Sequence, residues 1–256
     1  MSSFDGWDPS QYNRFARERE LPFWDLAALV RPTHGARVVD LGCGDGRLSA
    51  ELARRLDVAT LVGVDSSHAM LAAAQRVGDR RVRFEHGDLA TWERPGAVDV
   101  VFANASLQWV GDHRAVLARW TNSLAPAGQL CVQVPANADH VSHQVAMELA
   151  REILDEVPED QVARNVLAPE RYAEILDDLG YADQHVRLQV YVHHLASTSE
   201  VVEWMRGTSL TRFKEPLAQR FDDFVARYRE RLLERLGDRS PYTYLFKRIL
   251  LWGRRP

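Results

Sequence analysis

The chain has 256 residues, 46% hydrophobic and 27% charged, enough to bury a full core in a single α/β domain. Its net charge of −4 provides no global basic field, so a nucleic-acid partner is not expected. Two cysteines, Cys43 and Cys131, make neither a disulfide framework nor a metal-ligand spacing, and no metal is expected. Met1 to Arg19 is polar and charged, and no apolar run reaches the ~18 residues of a membrane span. A cytoplasmic chain without leader or membrane contact is the expectation.

Strand and helix signals then alternate. Gln11 to Val30 reads as one or two helices broken near Pro22. Arg37 to Leu41 is the first predicted strand and Gly46 to Arg55 its helix. Thr60 to Val64 follows as a strand, then a helix from Ser67 to Arg76 with Ser66 or Ser67 as N-cap. Val82 to His86 is the third strand, and the apolar run Val98 to Ala103 the fourth, covered on both faces. A helix from Asp112 to Ser123 and a turn at Ala125-Pro126-Ala127-Gly128 lead to a fifth strand, Gln129 to Val134.

The second half begins with a helix over His140 to Val157, where Val141, Val145, Leu149 and Ile153 recur every four residues. Pro169 opens another helix, to Leu179. His185 to Leu195 alternates as a sixth strand, Ser199 to Ser209 and Leu217 to Leu236 read as helices, and Tyr242 to Trp252 closes the fold as a strand. The whole predicts one α/β domain over residues 1–256, a doubly wound, seven-stranded, Rossmann-like sheet. N-terminal helices occupy residues 1–35, and a helical cap over about 197–240 is inserted before the last strand, expected over the carboxyl edge of the sheet.

The chemistry is concentrated in residues 36–135. Val38-Val39-Asp40-Leu41-Gly42-Cys43-Gly44-Asp45-Gly46 is a strand running into a glycine turn, which lets a ligand approach the backbone. Val62-Gly63-Val64-Asp65 and Gly87-Asp88-Leu89 end two further strands in an acid, at the edge where open α/β sheets bind ligands. Asp65 is placed to accept from two ribose hydroxyls, Asp88 to meet an adenine amino group with the Leu89 amide beside it, and Asp40 to face a methionine ammonium group. The glycines give G-x-G-x-G with Arg47 where a third fingerprint glycine would stand, which speaks against a dinucleotide. The pattern resembles class I S-adenosylmethionine-dependent methyltransferases. Candidate cofactor contacts are Asp40, Gly42, Cys43, Gly44, Asp65, Ser66, Asp88, Leu89 and Asn104.

A narrower resemblance rests on Gln11-Tyr12-Asn13-Arg14-Phe15, on Phe102-Ala103-Asn104-Ala105-Ser106-Leu107-Gln108-Trp109-Val110 and on Val202-Glu203-Trp204-Met205-Arg206-Gly207-Thr208. Asp88-Leu89-Ala90-Thr91-Trp92 and Gln133-Val134-Pro135 add to it. Together they resemble the trans-aconitate methyltransferase family. The resemblance implies esterification of a carboxylate on a small polyacid. Related sequences methylate malonyl thioesters on acyl carrier protein, and that acceptor, an unrelated metabolite, or a non-catalytic cofactor-binding role are the alternatives. Two positions depart from the family pattern: Arg212 stands one place late after Leu210, and Leu245 occupies a position expected to be cationic, with Lys247 two residues on.

Candidate acceptor contacts are Tyr12, Trp109, Trp204, Arg206, Arg212 and Lys247. Each has a plainer reading: Tyr12 and Phe15 as a packed helix face, the tryptophans as core, the cations as solvated charges. A carboxylate acceptor needs no base, and no catalytic residue is assigned; His113 is the candidate base should the acceptor be an alcohol or phenol, against a structural role. His193 and His194 alternate across a strand and cannot share a metal. Lys247, Arg248, Arg254 and Arg255 make the end of the chain basic, a surface for an acidic carrier protein or simply a solubilising edge.

Overall fold

The computed structural model describes residues 16–31 and 34–256; Tyr12 and Phe15 lie outside the described residues. Seven strands form one sheet in the order β3-β2-β1-β4-β5-β7-β6. They are β1 (Arg37–Leu41), β2 (Thr60–Asp65), β3 (Val82–His86), β4 (Val98–Asn104), β5 (Leu124–Pro135), β6 (Asp183–Leu195) and β7 (Tyr242–Arg254). Neighbours among β1 to β5 run parallel, and β7 runs antiparallel to β5. The order reverses between β1 and β4, so the crevice beyond their carboxyl ends is the topological switch point. Among the described residues, no helix is long and apolar enough to cross a membrane.

Contacts divide the chain into two compact units. One comprises residues 21–135, 165–189 and 248–256 and holds all five parallel strands. Its core joins Val38, Val100, Phe102 and Cys131 on one sheet face to Phe23 and Leu26 of the helix Ala16–Ala27 and to Leu52 of the helix Arg47–Arg55. Burying each such side chain contributes about 1.5–3 kcal/mol. On the opposite face Trp120 and Tyr172, from the helices His113–Asn122 and Pro169–Asp178, are both fully buried.

Among the described residues, the other unit comprises 16–20, 136–164 and 190–247. Its core packs Val145 and Leu149 of the helix Val141–Ile153 against Trp204, Phe213, Phe224 and Tyr228. The four-residue spacing that predicted this helix is the spacing that faces the core, with Val141 and Ile153 at its margins.

Several expectations are corrected. Pro22 does not break the first helix, which runs through it; the burial of Phe23 (3% exposed) and Leu26 (0%) offsets the one hydrogen bond a proline removes. The turn expected at Ala125–Gly128 is absorbed into β5: Ala127 keeps a positive φ of 58°, but its N–H donates to the Pro256 carbonyl, and the Arg255 N–H donates to that of Gly128. A short helix, Gln161–Asn165, was not anticipated. The helix expected from Leu217 starts at Phe221, after 3-10 turns at Ser209–Phe213 and Ala218–Arg220.

Candidate functional site

The glycine turn after β1 is fixed from three sides. The Gly42 and Cys43 N–H groups both donate to the Val64 carbonyl, at 2.7 and 3.1 Å. The Gly44 N–H donates to Asp65 Oδ2 at 2.9 Å, and the Ser67 N–H to Asp65 Oδ1 at 2.9 Å. Asp65 therefore clamps the turn to the next helix while each oxygen retains capacity for a further donor. Gly42 adopts φ 83°, and a Cβ there would lie 2.3 Å from Ser106 Cβ, so the loop after β4 rests directly on the turn. Ser106 Oγ reinforces this by donating to the Leu41 carbonyl at 2.6 Å.

Asp40 is 3% exposed and accepts from Ser49 Oγ at 2.5 Å. Burial pushes its carboxyl up to about 7, aided by the Asp65 charge and opposed by the Ser49 hydrogen bond. Cys43 is raised by the same burial and by Asp40, so it stays a thiol. Asp88 Oδ1 accepts from the Ala90 N–H at 2.9 Å, and the Leu89 carbonyl accepts from Trp120 Nε1 at 3.0 Å. Ser66 is exposed, while the neighbouring Ser67 is the N-cap, accepting from the Met70 N–H. Asn104 ends β4 beside the turn, and its buried Oδ1 has no partner.

The turn fits the expected cofactor on two counts: a backbone bared of side chains at Gly42 and Gly44, and an orphaned buried acceptor next to it. All nine predicted cofactor residues belong to the same compact unit. Sequence reasoning missed Ser49, Gln108 and Gln133 around them. A glutamine interrupting the apolar run Leu130 to Val134 was the available signal for Gln133.

The acceptor candidates separate. Trp109 is 50% exposed, whereas Trp204 is buried among His193, Tyr244 and Phe246 and is core. Each cation already holds an acid. Arg206 meets Asp222 at 3.0 Å, Lys247 pairs with Asp139, and Arg212 meets Asp160 at 2.6 Å with both side chains 13% exposed. Burial alone would raise Asp160, but His143 and the Arg212 guanidinium hold it well below the usual carboxylate range. The solvated reading of Arg212 is thus corrected.

His113 is corrected too. It is 3% exposed, with Nδ1 2.8 Å from the Tyr172 hydroxyl and Nε2 3.1 Å from the Val110 carbonyl. The Leu167 N–H donates to the same hydroxyl at 3.2 Å, leaving its proton for Nδ1 and placing the imidazole proton on Nε2. Burial lowers its pKa, so the ring is neutral with both nitrogens engaged, a structural strut rather than a base. The basic end of the chain is also partly internal. Arg248 is 9% exposed, and Arg255 donates to the Thr121 and Leu124 carbonyls.

Comparison with known proteins agrees with this geometry. A family model described as a methyltransferase domain matches residues 38–128, which covers the glycine turn, Asp65 and Asp88. The trans-aconitate 2-methyltransferase of Deinococcus radiodurans is 40% identical, over 98% of each chain. That of Mycobacterium tuberculosis is 36% identical over 92% of this chain and 89% of its own. Among solved structures, the Haemonchus contortus phosphoethanolamine N-methyltransferase 2 with S-adenosyl-L-methionine matches at a TM-score of 0.56, covering all of this chain and 60% of that one. At 19% identity it shares the fold alone. The glycine turn, Asp65 at the end of β2, Asp88 two residues past β3, and the near-full-length relatives converge: this chain belongs to the trans-aconitate methyltransferase family of S-adenosylmethionine-dependent enzymes.

Proposed function

We propose that the chain methylates a carboxylate of trans-aconitate. The observation that carries this reading is 40% identity to a trans-aconitate 2-methyltransferase over 98% of both chains. When bound, S-adenosylmethionine supplies a methyl group on a sulfonium, which an ionised carboxylate takes without giving up a proton. The residues needed are those that bind, orient and exclude water. Gly42 and Gly44 let the cofactor lie on bare backbone, Asp65 receives its ribose, Asp88 and Leu89 its adenine, and Asp40 supplies charge toward its ammonium group. His113, with both nitrogens engaged, supports an acceptor that needs no base.

The test is S-adenosylhomocysteine formation by purified protein with S-adenosylmethionine, comparing trans-aconitate, a malonyl thioester on acyl carrier protein and a no-acceptor control. Saturable product with trans-aconitate is expected. Product with the thioester alone would move the assignment to carrier-borne acids. No product, in protein that binds S-adenosylhomocysteine, would refute the acceptor.

A further inference from the structure

Three buried amides at the carboxyl ends of β4 and β5 hold four side-chain atoms without a hydrogen-bond partner: Asn104 Oδ1, Gln108 Oε1, and Gln133 Nε2 and Oε1. Gln133 is 1% exposed and Gln108 3%. Leaving such atoms unpaired is costly, because each has given up its hydrogen bonds to water and gained none from the protein. Loose packing does not explain them, because the backbone around them is satisfied. The Ala105 N–H donates to the Gln133 carbonyl at 2.9 Å, and Asn165 Nδ2 donates to the Gln108 carbonyl at 3.0 Å.

Gln129 is the internal control. It lies four residues before Gln133 on the same strand and face. Both ends of its amide are used: Oε1 accepts from the Arg31 N–H and from Trp252 Nε1, and Nε2 donates to the Arg31 carbonyl. One strand thus carries two buried glutamines, the amino-terminal one satisfied by protein and the carboxyl-terminal one open at both ends. The open one is at the ligand edge.

Asn104 and Gln133 are register partners, so their side chains leave one face of the sheet side by side. Gln108 follows on the loop whose Ser106 presses on Gly42. The count of open atoms selects the ligand. A carboxylate alone would satisfy only Gln133 Nε2 and would confront three carbonyl oxygens. An ammonium brings three N–H donors, and an ammonium beside a carboxylate answers all four atoms. The count holds whichever way the Gln133 amide is turned, since both of its ends are open.

We propose that Asn104, Gln108 and Gln133 form the subsite for the amino-acid end of the cofactor, the three amide oxygens receiving its ammonium and Gln133 Nε2 donating to its carboxylate. Gln108 and Gln133 are thereby added to Asn104 as cofactor contacts. The assignment does not depend on which acid is methylated.

Calorimetric titration of wild type and Gln133→Leu with S-adenosylhomocysteine and with 5′-methylthioadenosine, which lacks the amino-acid end, tests it. Gln133→Leu is expected to weaken S-adenosylhomocysteine at least tenfold, leave methylthioadenosine within twofold, and keep the ligand-free melting temperature at or above wild type. Gln133→Met, which retains the side-chain length, is expected to give the same split. Equal losses for both ligands, no loss for either, or a variant that melts earlier with S-adenosylhomocysteine affinity intact would overturn the proposal. A change confined to the acceptor's KM would do so as well. Neither ligand contains an acceptor, so the outcome is separate from the trans-aconitate test.

Discussion

Asp40 supports a prediction that links stability to ligand binding. Its carboxyl is displaced from 3.8 to about 7 in the folded chain, chiefly by burial. Three units correspond to about 4 kcal/mol of preference for the neutral form. Because the folded pKa is raised, the stability this acid contributes is fully present below the unfolded value near 4 and is lost as pH rises to 7. By linkage, roughly 2 kcal/mol is gone by pH 5 and about 2–3 kcal/mol more by pH 8. Asp40→Asn keeps the shape and an acceptor for the Ser49 hydroxyl but cannot ionise. Urea denaturation of ligand-free wild type and variant at pH 5 and pH 8 is the assay. The variant's advantage over wild type is expected to be about 2–3 kcal/mol larger at pH 8 than at pH 5. Equal differences at the two pH values would mean that Asp40 ionises normally in the folded chain, and the argument from burial would fail. The proposed ammonium role adds an opposite sign for ligand: the more stable variant is expected to bind S-adenosylhomocysteine less tightly.

Other perturbations test separate parts of the site. Gly42→Ala puts a Cβ 2.3 Å from Ser106 Cβ at φ 83°, whereas Gly44→Ala at φ 57° meets nothing within 4 Å. Urea midpoints are expected to show a loss of about 1 kcal/mol for Gly44→Ala, the left-handed cost alone, and a clearly larger one for Gly42→Ala. His113→Gln is expected to cost about 1–3 kcal/mol of stability, from the lost contacts to Tyr172 and Val110, with kcat unchanged; a collapse of kcat in folded variant would restore the base. Arg212→Ala strands the enclosed Asp160 and is expected to cost about 3 kcal/mol or more, with Arg212→Met/Asp160→Leu recovering most of it. A stable Arg212→Ala with a raised acceptor KM would instead make Arg212 an acceptor contact.

The parallel half of the fold was legible because its constraints act locally. β1 and β3 have the predicted boundaries, since β1 is a short buried run closed by the glycine turn and β3 alternates Val82 and Phe84 with polar residues up to Gly87-Asp88. The glycine turn was legible because a backbone at positive φ leaves glycine in the sequence. Gln161–Asn165 was not, because five residues are too few to carry a helical period. Trp204 and His113 were read from position alone, but their roles follow from partners distant in sequence, Tyr244 and Tyr172, which no spacing announces. Arg212 and Asp160 come together for the same nonlocal reason.

That nonlocal pairing also ranks the cations proposed to meet an acceptor carboxylate. An incoming acid must compete with the acid each cation already holds. Arg206 and Lys247 hold Asp222 and Asp139, whose side chains are 82% and 67% exposed, and pairs this solvated are worth about 0–1 kcal/mol. They exchange partners at little cost, because the displaced aspartate turns to water. Asp160 has no such escape: at 13% exposure, removing its guanidinium leaves a buried carboxylate that cannot readily rehydrate. Arg212, the cation most similar in placement to the family pattern, is therefore the least available of the three, and its charge is committed to holding Asp160 beside the helix Val141–Ile153 through His143 and Met147. On that ranking Arg206 and Lys247 would exchange their aspartates for an acceptor carboxylate at the least cost, and the displacement of Arg212 by one position has a physical counterpart in the aspartate that claims it.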